Sequence, residues 1–208
     1  MKVILCGNEE NLLARWKSAV EQSGTSASVA GNLTESMGLI QNTIRPILIV
    51  HRPWADSQHI AILRRRFPET SIMILSDDPN EDEGVSYLKI GVSGYGNSHM
   101  AQSQLAAAVK VIDSGGVWVG QKIMRRLIAS SRGRPSRSAP EFKQLKQLSD
   151  REQEVASLLA EGASNKEIAV VLDITERTVK AHLHSIYAKT GVSGRLQLAL
   201  LLHSASQG

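Results

Sequence analysis

The strongest structural signals in the chain lie in residues 148–192, LSDREQEVASLLAEGASNKEIAVVLDITERTVKAHLHSIYAKTGV. It contains two S-x-x-E capping boxes, Ser149 with Glu152 and Ser164 with Glu167. In such a box the serine and the glutamate satisfy backbone N–H groups that the first turn of a helix leaves open. Each box therefore predicts the start of a helix.

Further signals in the same stretch complete a three-helix unit. Thr175 is a third N-cap candidate, and Gly162 and Gly191 are placed to end helices. The short DIT turn between the second and the third helix gives the spacing of a helix-turn-helix. The predicted helices run near 149–161, 164–172 and 175–190.

The third predicted helix has two unlike faces. An apolar stripe with helical spacing is expected to face the core, and it consists of Val179, Leu183, Ile186 and Thr190. The opposite face carries cationic and small residues, namely Arg177, Lys180, Ala181, His184 and Ala188. Such a face suits the major groove of DNA, because lysine binds guanine edges and small side chains allow close approach. A solvated amphipathic helix without a DNA partner is the alternative.

The same stretch resembles the LuxR/NarL-type helix-turn-helix of bacterial transcription regulators. The resemblance covers about 147–205 and rests on three phrases in one order, L-S-x-R-E-x-E-V, E-G-x-S-N-K-E-I-A and T-V-K-x-H-L. It implies that the third helix contacts double-stranded DNA and that the helix before it lies near phosphates. The DNA-binding residues expected on this basis are Asn165, Lys166, Arg177, Thr178, Lys180, Ala181 and His184.

A last predicted helix, near 194–205, is apolar on two sides. One side carries Leu196, Ala199 and Leu200, and the other carries Leu198, Leu201, Leu202 and Ala205. Because a small domain buries one such face internally, the second is expected to lie against a partner. We predict a homodimer that reads a pseudo-palindromic site, with an interface formed by Leu198, Leu201 and Leu202.

The first half of the chain alternates short apolar runs with helical patterns. The apolar runs lie at 3–6, 28–31, 47–50, 72–75 and 91–95, and the helices near 9–22, 33–43, 57–67, 81–90 and 100–113. Continuous apolar strands that alternate with helices indicate a parallel sheet covered on both faces. The predicted fold class is an α/β flavodoxin-like doubly wound parallel sheet, followed by an all-α helix-turn-helix domain.

The predicted sheet resembles the receiver domain of two-component response regulators. In that family an acidic pair holds Mg²⁺, an aspartate accepts phosphate, and a Ser or Thr and a Lys contact the phosphoryl group. Here only the serine after the fourth strand fits, and the corresponding positions are Gly7, Asn8, His51 or Arg52, Ser76 and Ser98. Because Mg²⁺ needs carboxylate oxygens, we predict a degenerate receiver that acts without aspartyl phosphorylation.

Other polar residues at the strand ends leave alternatives open. Glu9, Asp77 and Asp78 could rebuild a metal site, but we interpret them as helix caps or dipole partners and expect no metal and no cofactor. His51 with Arg52 suggests an anion or partner site in place of the phosphate pocket. The alternative is an arginine that is solvated or paired with Asp77 or Asp78.

Positive charge is concentrated between the two halves. Residues 110–146 carry nine Lys and Arg against two Asp and Glu, whereas the whole chain carries 24 against 20. Residues 131–140 lack large aliphatic side chains and are predicted to form an exposed linker. Its arginines either strengthen binding to phosphates or belong to a plain tether, and they are Arg132, Arg134 and Arg137.

Three regions follow from these patterns. We predict a receiver-like domain at 1–116, a connector helix and basic linker at 117–146, and a DNA-binding domain at 147–208. The single cysteine, Cys6, excludes an internal disulfide and suits a reducing cytoplasm. The apolar runs are too short for a membrane span. Neither a dinucleotide-binding fingerprint nor a phosphate-binding P-loop occurs, so no catalytic residues and no enzyme activity are expected.

The predicted function is a cytoplasmic DNA-binding transcription regulator, with RNA polymerase or another regulator as a further partner. The alternative is a signalling module whose receiver-like domain binds a protein or a nucleotide second messenger such as cyclic di-GMP, with DNA binding secondary. Some phosphorylation-independent relatives bind that nucleotide through a W-[FLM]-[TS]-R motif. The matching run here, at 118–121, is WVGQ and lacks the arginine, which disfavours this ligand.

Overall fold

The computed structural model describes residues 2–132, 145–192 and 194–205. The chain divides into two compact units, Met1–Met124 and Arg125–Gly208. The predicted basic linker lies outside the described residues from position 133 onward, as do its Arg134 and Arg137. The limits predicted for the three regions stay predictions.

In the first unit, strands and helices alternate along the described chain. The elements are β1 (Lys2–Cys6), α1 (Glu10–Gln22), β2 (Ser26–Ala30), α2 (Leu33–Gln41), β3 (Ile47–His51), α3 (Ser57–Arg66), β4 (Ser71–Ser76), α4 (Glu81–Lys89), β5 (Gly94–Asn97) and α5 (Gln102–Asp113). The strands pair in parallel in the order β2-β1-β3-β4-β5. This is the predicted doubly wound sheet.

The three central strands, β1, β3 and β4, form the core of the first unit. Their apolar runs VILC, ILIV and IMIL are almost completely buried, with exposures of 0–2%. Both sheet faces are covered because the connections between parallel strands run over them as helices. Trp16 on α1 and Leu105 on α5 pack into one of these layers beside Val3 and Ile49.

The fifth strand begins later than the sequence predicts. The run at 91–95 suggests a strand from Gly91, but β5 starts at Gly94. Gly91 has a φ of +88°, a left-handed conformation that ends the turn after α4 and delays the extended backbone. Beyond α5, Trp118 adds an isolated parallel bridge to Gly94.

The described helices after the sheet are α6 (Gln121–Arg132), α7 (Asp150–Ala160), α8 (Asn165–Val171), α9 (Glu176–Thr190) and α10 (Arg195–Ala205). The last four enclose a core of their own, which includes Val155, Ile168, Val179, Ile186 and Leu198. The predicted helices of the second half are therefore confirmed in type and order. Within the described residues, no helix combines the length and the apolar character that crossing a bilayer requires.

The inner side of α10 differs from the predicted one. Leu198 has no exposed surface, and Ala199 and Leu202 pack against the same core. Leu201 is only partly buried. The assignment of Leu198 to a partner-facing side is therefore wrong, because contact between α10 and α7 already covers it. Sequence alone shows two apolar sides of this helix, and the neighbouring helix decides which one turns inward.

Candidate functional site

Each of the three helices of the helix-turn-helix starts at a capping residue. Ser149 and Ser164 form complete capping boxes with the glutamates three positions later. The Thr175 side chain accepts a hydrogen bond from the backbone N–H of Thr178, and this bond begins α9. Gly191 ends α9 with a φ of +70°. These contacts confirm the capping signals of the sequence and fix where α9 starts.

The predicted apolar stripe of α9 is confirmed. Val179, Leu183, Ile186 and Thr190 are each at most 5% exposed. The stripe packs against α7 and α8 and thereby orients the remaining sides of α9. On those sides Arg177 and Ala181 are exposed, and Thr178, Lys180 and His184 are partly exposed.

The two residues of α8 that are predicted to contact phosphate differ in their exposure to solvent. Lys166 is exposed, whereas Asn165 is only 2% exposed. The Oδ1 atom of Asn165 accepts a hydrogen bond from Arg195 at 3.4 Å. The side chain of Asn165 lies inside the domain, so its assignment as a phosphate ligand is wrong in this arrangement. The first position of a short helix sits close to the domain interior, and spacing does not reveal this.

Arg195 is a structural residue that the sequence interpretation missed. It is partly buried at the start of α10, and its Nη2 atom donates a hydrogen bond to the carbonyl of Ala163 at 2.5 Å. Burial lowers the pKa of this guanidinium, with the nearby Glu167 carboxylate opposing the change. Arg195 thus ties α10 to the turn that precedes α8. Its only sequence signal is an arginine at a helix start, which is unfavourable for the helix dipole.

A buried ion pair links the first and third helices of this unit. The Glu152 carboxylate accepts hydrogen bonds from Lys189 Nζ and Ser185 Oγ, both at 2.6 Å. Burial opposes ionisation of Glu152, but these bonds and those from Ser149 outweigh it and lower the pKa of Glu152 to about 2. The same glutamate therefore caps α7 and anchors the C-terminal part of α9.

The carboxyl ends of the strands gather the predicted pocket residues of the first unit. Gly7, His51 and Ser76 follow or end β1, β3 and β4, and Ser98 follows β5. Ser98 and His51 are buried, with exposures of 0% and 1%. The sheet therefore brings the predicted pocket residues to one edge, and their side chains have different hydrogen-bond partners.

Asp77 is the centre of this pocket. Its carboxylate accepts hydrogen bonds from Ser98 Oγ and, at 3.1 Å, from His51 Nε2. His99 Nε2 lies 3.4 Å from the same carboxylate. The bond from Ser98, followed by that from His51, lowers the pKa of Asp77. The interpretation of Asp77 as a helix cap is wrong, since its partners come from the neighbouring strand ends.

Glu9 also differs from the predicted cap. It occupies the N-cap position of α1, but its side chain makes no capping hydrogen bond. One carboxylate oxygen instead lies 3.7 Å from His51 Nδ1. His51 therefore has a carboxylate beside each of its ring nitrogens.

Arg52 is turned away from His51. Its Nε atom donates a hydrogen bond to Glu83 on α4 at 2.6 Å, and that contact raises the pKa of Arg52. Tyr95 donates to the same glutamate at 2.5 Å, and burial followed by this bond raises the pKa of Tyr95 to about 12. The partner observed for Arg52 is therefore Glu83 and not the predicted Asp77 or Asp78. Arg52 is thus a poor candidate for binding an anion together with His51.

The Mg²⁺ ion implied by the receiver likeness does not fit these residues. Gly7 has no side chain to offer, and Asn8 Oδ1 accepts a hydrogen bond from Trp54 Nε1 at 3.1 Å. The predicted acceptor position is His51 or Arg52, and neither side chain offers a carboxylate. Because Mg²⁺ prefers oxygen ligands that include carboxylates, the three positions do not supply its ligand set.

Comparison with known proteins agrees with this architecture. The family described as "Bacterial regulatory proteins, luxR family" matches residues 146–202. The chain is 33% identical over 159 residues to the oxygen regulatory protein NreC of Staphylococcus epidermidis, covering 73% of this chain and 72% of that protein. It is 34% identical to the transcriptional regulatory protein DegU of Brevibacillus brevis, over 65% of this chain and 62% of that protein. The chain belongs to the luxR family of bacterial regulatory proteins.

Solved structures confirm the fold. A structure of two RcsB dimers bound to two parallel DNAs superposes with a TM-score of 0.55 at 23% identity, covering 98% of each chain. At this identity the likeness shows the fold alone. It confirms the prediction of a parallel five-stranded α/β domain followed by a helix-turn-helix domain.

Proposed function

We propose that this chain regulates transcription by inserting α9 into the major groove of DNA, and that its receiver-like unit acts without aspartyl phosphorylation. The observation that carries the DNA-binding part is the capped helix-turn-helix, in which a buried stripe turns Arg177, Lys180 and Ala181 outward. Cationic and small side chains on such a helix suit base edges and phosphates. Thr178 and His184 complete the proposed contact face, and Lys166 on α8 is proposed to contact phosphate.

The pocket supports the second part of the proposal. On the receiver likeness the acceptor aspartate corresponds to the buried His51 or to Arg52, and the acidic pair corresponds to Gly7 and Asn8. Of the two carboxylates beside His51, that of Asp77 is already hydrogen-bonded by Ser98 and His51. A carboxylate held in this way is a poor nucleophile toward a phosphoryl donor.

This proposal predicts the outcome of incubation with a small phosphoryl donor. After treatment with acetyl phosphate and Mg²⁺, we expect no labile mass increase of one phosphoryl group and no change in DNA affinity. Intact-mass spectrometry and a DNA mobility shift on the same sample measure both. A stoichiometric acyl phosphate on Asp77 or Asp56, accompanied by a change in DNA affinity, would contradict the proposal.

We further propose that the protein binds DNA as a homodimer through the outer side of α10. Leu198 is excluded from this surface by its burial, whereas Leu200 and Leu201 are partly exposed. A two-fold dimer presents two copies of α9 to a pseudo-palindromic site. As a transcription regulator, it would act on RNA polymerase directly or through another regulator.

Replacing Leu201 with glutamate tests the dimer. A carboxylate in an apolar contact is costly, so we expect a folded monomer whose DNA affinity falls by about a hundredfold, since the half-sites are no longer linked. Sedimentation and DNA titration measure the two effects. Val170→Glu is the matched control, because it adds the same charge at an apolar side chain on α8 that is 75% exposed. A Leu201→Glu protein that stays dimeric would refute this interface.

A further inference from the structure

Three side chains of the pocket form a compact set of metal-binding atoms. Glu9, His51 and Asp77 each place one ligand atom within 4.8 Å of the others. His51 Nε2 lies 3.1 Å from Asp77 Oδ1, and His51 Nδ1 lies 3.7 Å from Glu9 Oε1. The three residues come from the ends of β1, β3 and β4, which the parallel sheet brings to one edge.

Two carboxylates lie beside the imidazole ring of His51. A neutral imidazole carries one N–H, and its second nitrogen presents a lone pair. Here both nitrogens lie near carboxylates, Nε2 at 3.1 Å from Asp77 and Nδ1 at 3.7 Å from Glu9. A metal ion bound to the ring nitrogen that holds the lone pair would find carboxylate oxygens of both residues close by as further ligands.

His51 is buried in the pocket, whereas the neighbouring carboxylates are accessible to solvent. His51 is 1% exposed, and the centroid of its ring lies 5.9 Å from that of Trp16 in an edge-to-face arrangement. Gly7 makes room for it, since a Cβ at this position would lie 3.3 Å from that of His51. The side chains of Glu9 and Asp77 are 57% and 48% exposed, which gives an ion a path from solvent.

We propose that Glu9, His51 and Asp77 bind one divalent transition-metal ion of the Zn²⁺ type. A nitrogen ligand with two carboxylates suits Zn²⁺, whereas Mg²⁺ prefers oxygen alone. Bonds of about 2.0–2.2 Å require the ligand atoms to lie roughly 3.3–3.6 Å apart, so the exposed Glu9 side chain closes on the ion by a small rotation. This inference does not depend on DNA binding by α9.

His99 is placed to complete the coordination. Its Nε2 atom lies 3.4 Å from Asp77 Oδ1, and its side chain is 59% exposed. Rotation of this side chain would bring a second imidazole to the ion as a fourth ligand. A four-ligand site of two histidines and two carboxylates has the coordination number that Zn²⁺ favours.

The test uses Zn²⁺ alone as the probe and the full chain without DNA. Isothermal titration calorimetry is expected to show one high-affinity ion per chain, and Glu9→Gln and Asp77→Asn to weaken it at least about tenfold each. Both substituted side chains are substantially exposed and replaced by near-isosteres, so the fold is preserved. The matched control is His59→Gln, which removes another histidine beside an aspartate, 3.0 Å from Asp56 on the surface of α3.

A thermal melt with and without Zn²⁺ gives a second readout, because an ion that binds only the folded chain raises its melting temperature. We expect this rise in the wild type and in His59→Gln, and its loss in Asp77→Asn. An absence of binding to the wild type would overturn the inference, as would wild-type affinity in both pocket variants. Loss of the ion in His59→Gln alone would place it on the surface and equally overturn it. None of these results bears on DNA recognition by α9.

Discussion

Replacing Glu152 with glutamine is expected to lower the free energy of unfolding of the second unit by about 2–3 kcal/mol. The carboxylate is buried and accepts hydrogen bonds from Lys189 and Ser185 at 2.6 Å, while its backbone contacts with Ser149 cap α7. Glutamine keeps the shape but removes the charge, and the partly buried ammonium of Lys189 loses its counter-ion. Hydrogen exchange of α7 and α9 amides measures the loss in the full chain.

Glu154→Gln is the matched control for this prediction. Glu154 lies on the same helix and pairs with Arg151 at 2.7 Å, but its side chain is 51% exposed. An exposed pair of this kind contributes less than about 1 kcal/mol. Equal destabilisation by the two variants would contradict the role given to Glu152.

The lowered pKa of Glu152 also predicts the response to acid. A carboxyl whose folded pKa is about 2, against an ordinary value of 4.5, stabilises the fold fully above pH 4.5. This contribution is lost as the pH falls from about 4.5 toward 2. The Glu152→Gln protein should therefore lose stability less steeply over that window than the wild type.

Replacing Lys180 with alanine is expected to reduce specific DNA affinity by about 10–100-fold, which corresponds to roughly 1–3 kcal/mol for a base contact. Lys180 lies on α9 beside the buried stripe of Val179 and Leu183 and is partly exposed, where we expect it to reach base edges in the major groove. Lys166→Ala should instead weaken binding to all DNA sequences alike, since a phosphate contact carries no sequence information. It should also reduce the number of counter-ions released on DNA binding by about one, which is read from the salt dependence of the affinity.

Lys17→Ala supplies a charge-matched control for both variants. Lys17 lies on α1 of the first unit and pairs weakly with Glu21 at 3.9 Å. Fluorescence titrations of specific and random DNA at several salt concentrations separate the three behaviours. Equal loss on both DNAs in Lys180→Ala would show that this lysine contacts phosphate and not a base.

Local signals in the sequence were sufficient for much of the architecture. Capping boxes act within four residues, so Ser149 and Ser164 predicted helix starts that the structure confirms. The apolar stripe of α9 was predicted in the same way, from residues that recur three or four positions apart. The continuous apolar strands predicted the parallel sheet because both of its faces are covered.

Contacts between residues that are distant in the sequence could not be predicted from local patterns. Arg52 pairs with Glu83, and Asp77 joins Ser98 and His51, only because the sheet places different strand ends together. Likewise, Leu198 turns inward because α7 lies beside α10. Sequence spacing identified the right regions but not the orientation of these side chains, which depends on tertiary neighbours.

The most direct test of the central claim is selection of bound sequences from a random DNA pool by the purified full chain, without a phosphoryl donor. We expect enrichment of a pseudo-palindromic site, with half-sites about one helical turn apart, and loss of that enrichment in Lys180→Ala. Enrichment of no sequence by the wild type, or of the same site at equal strength by Lys180→Ala, would contradict the central claim.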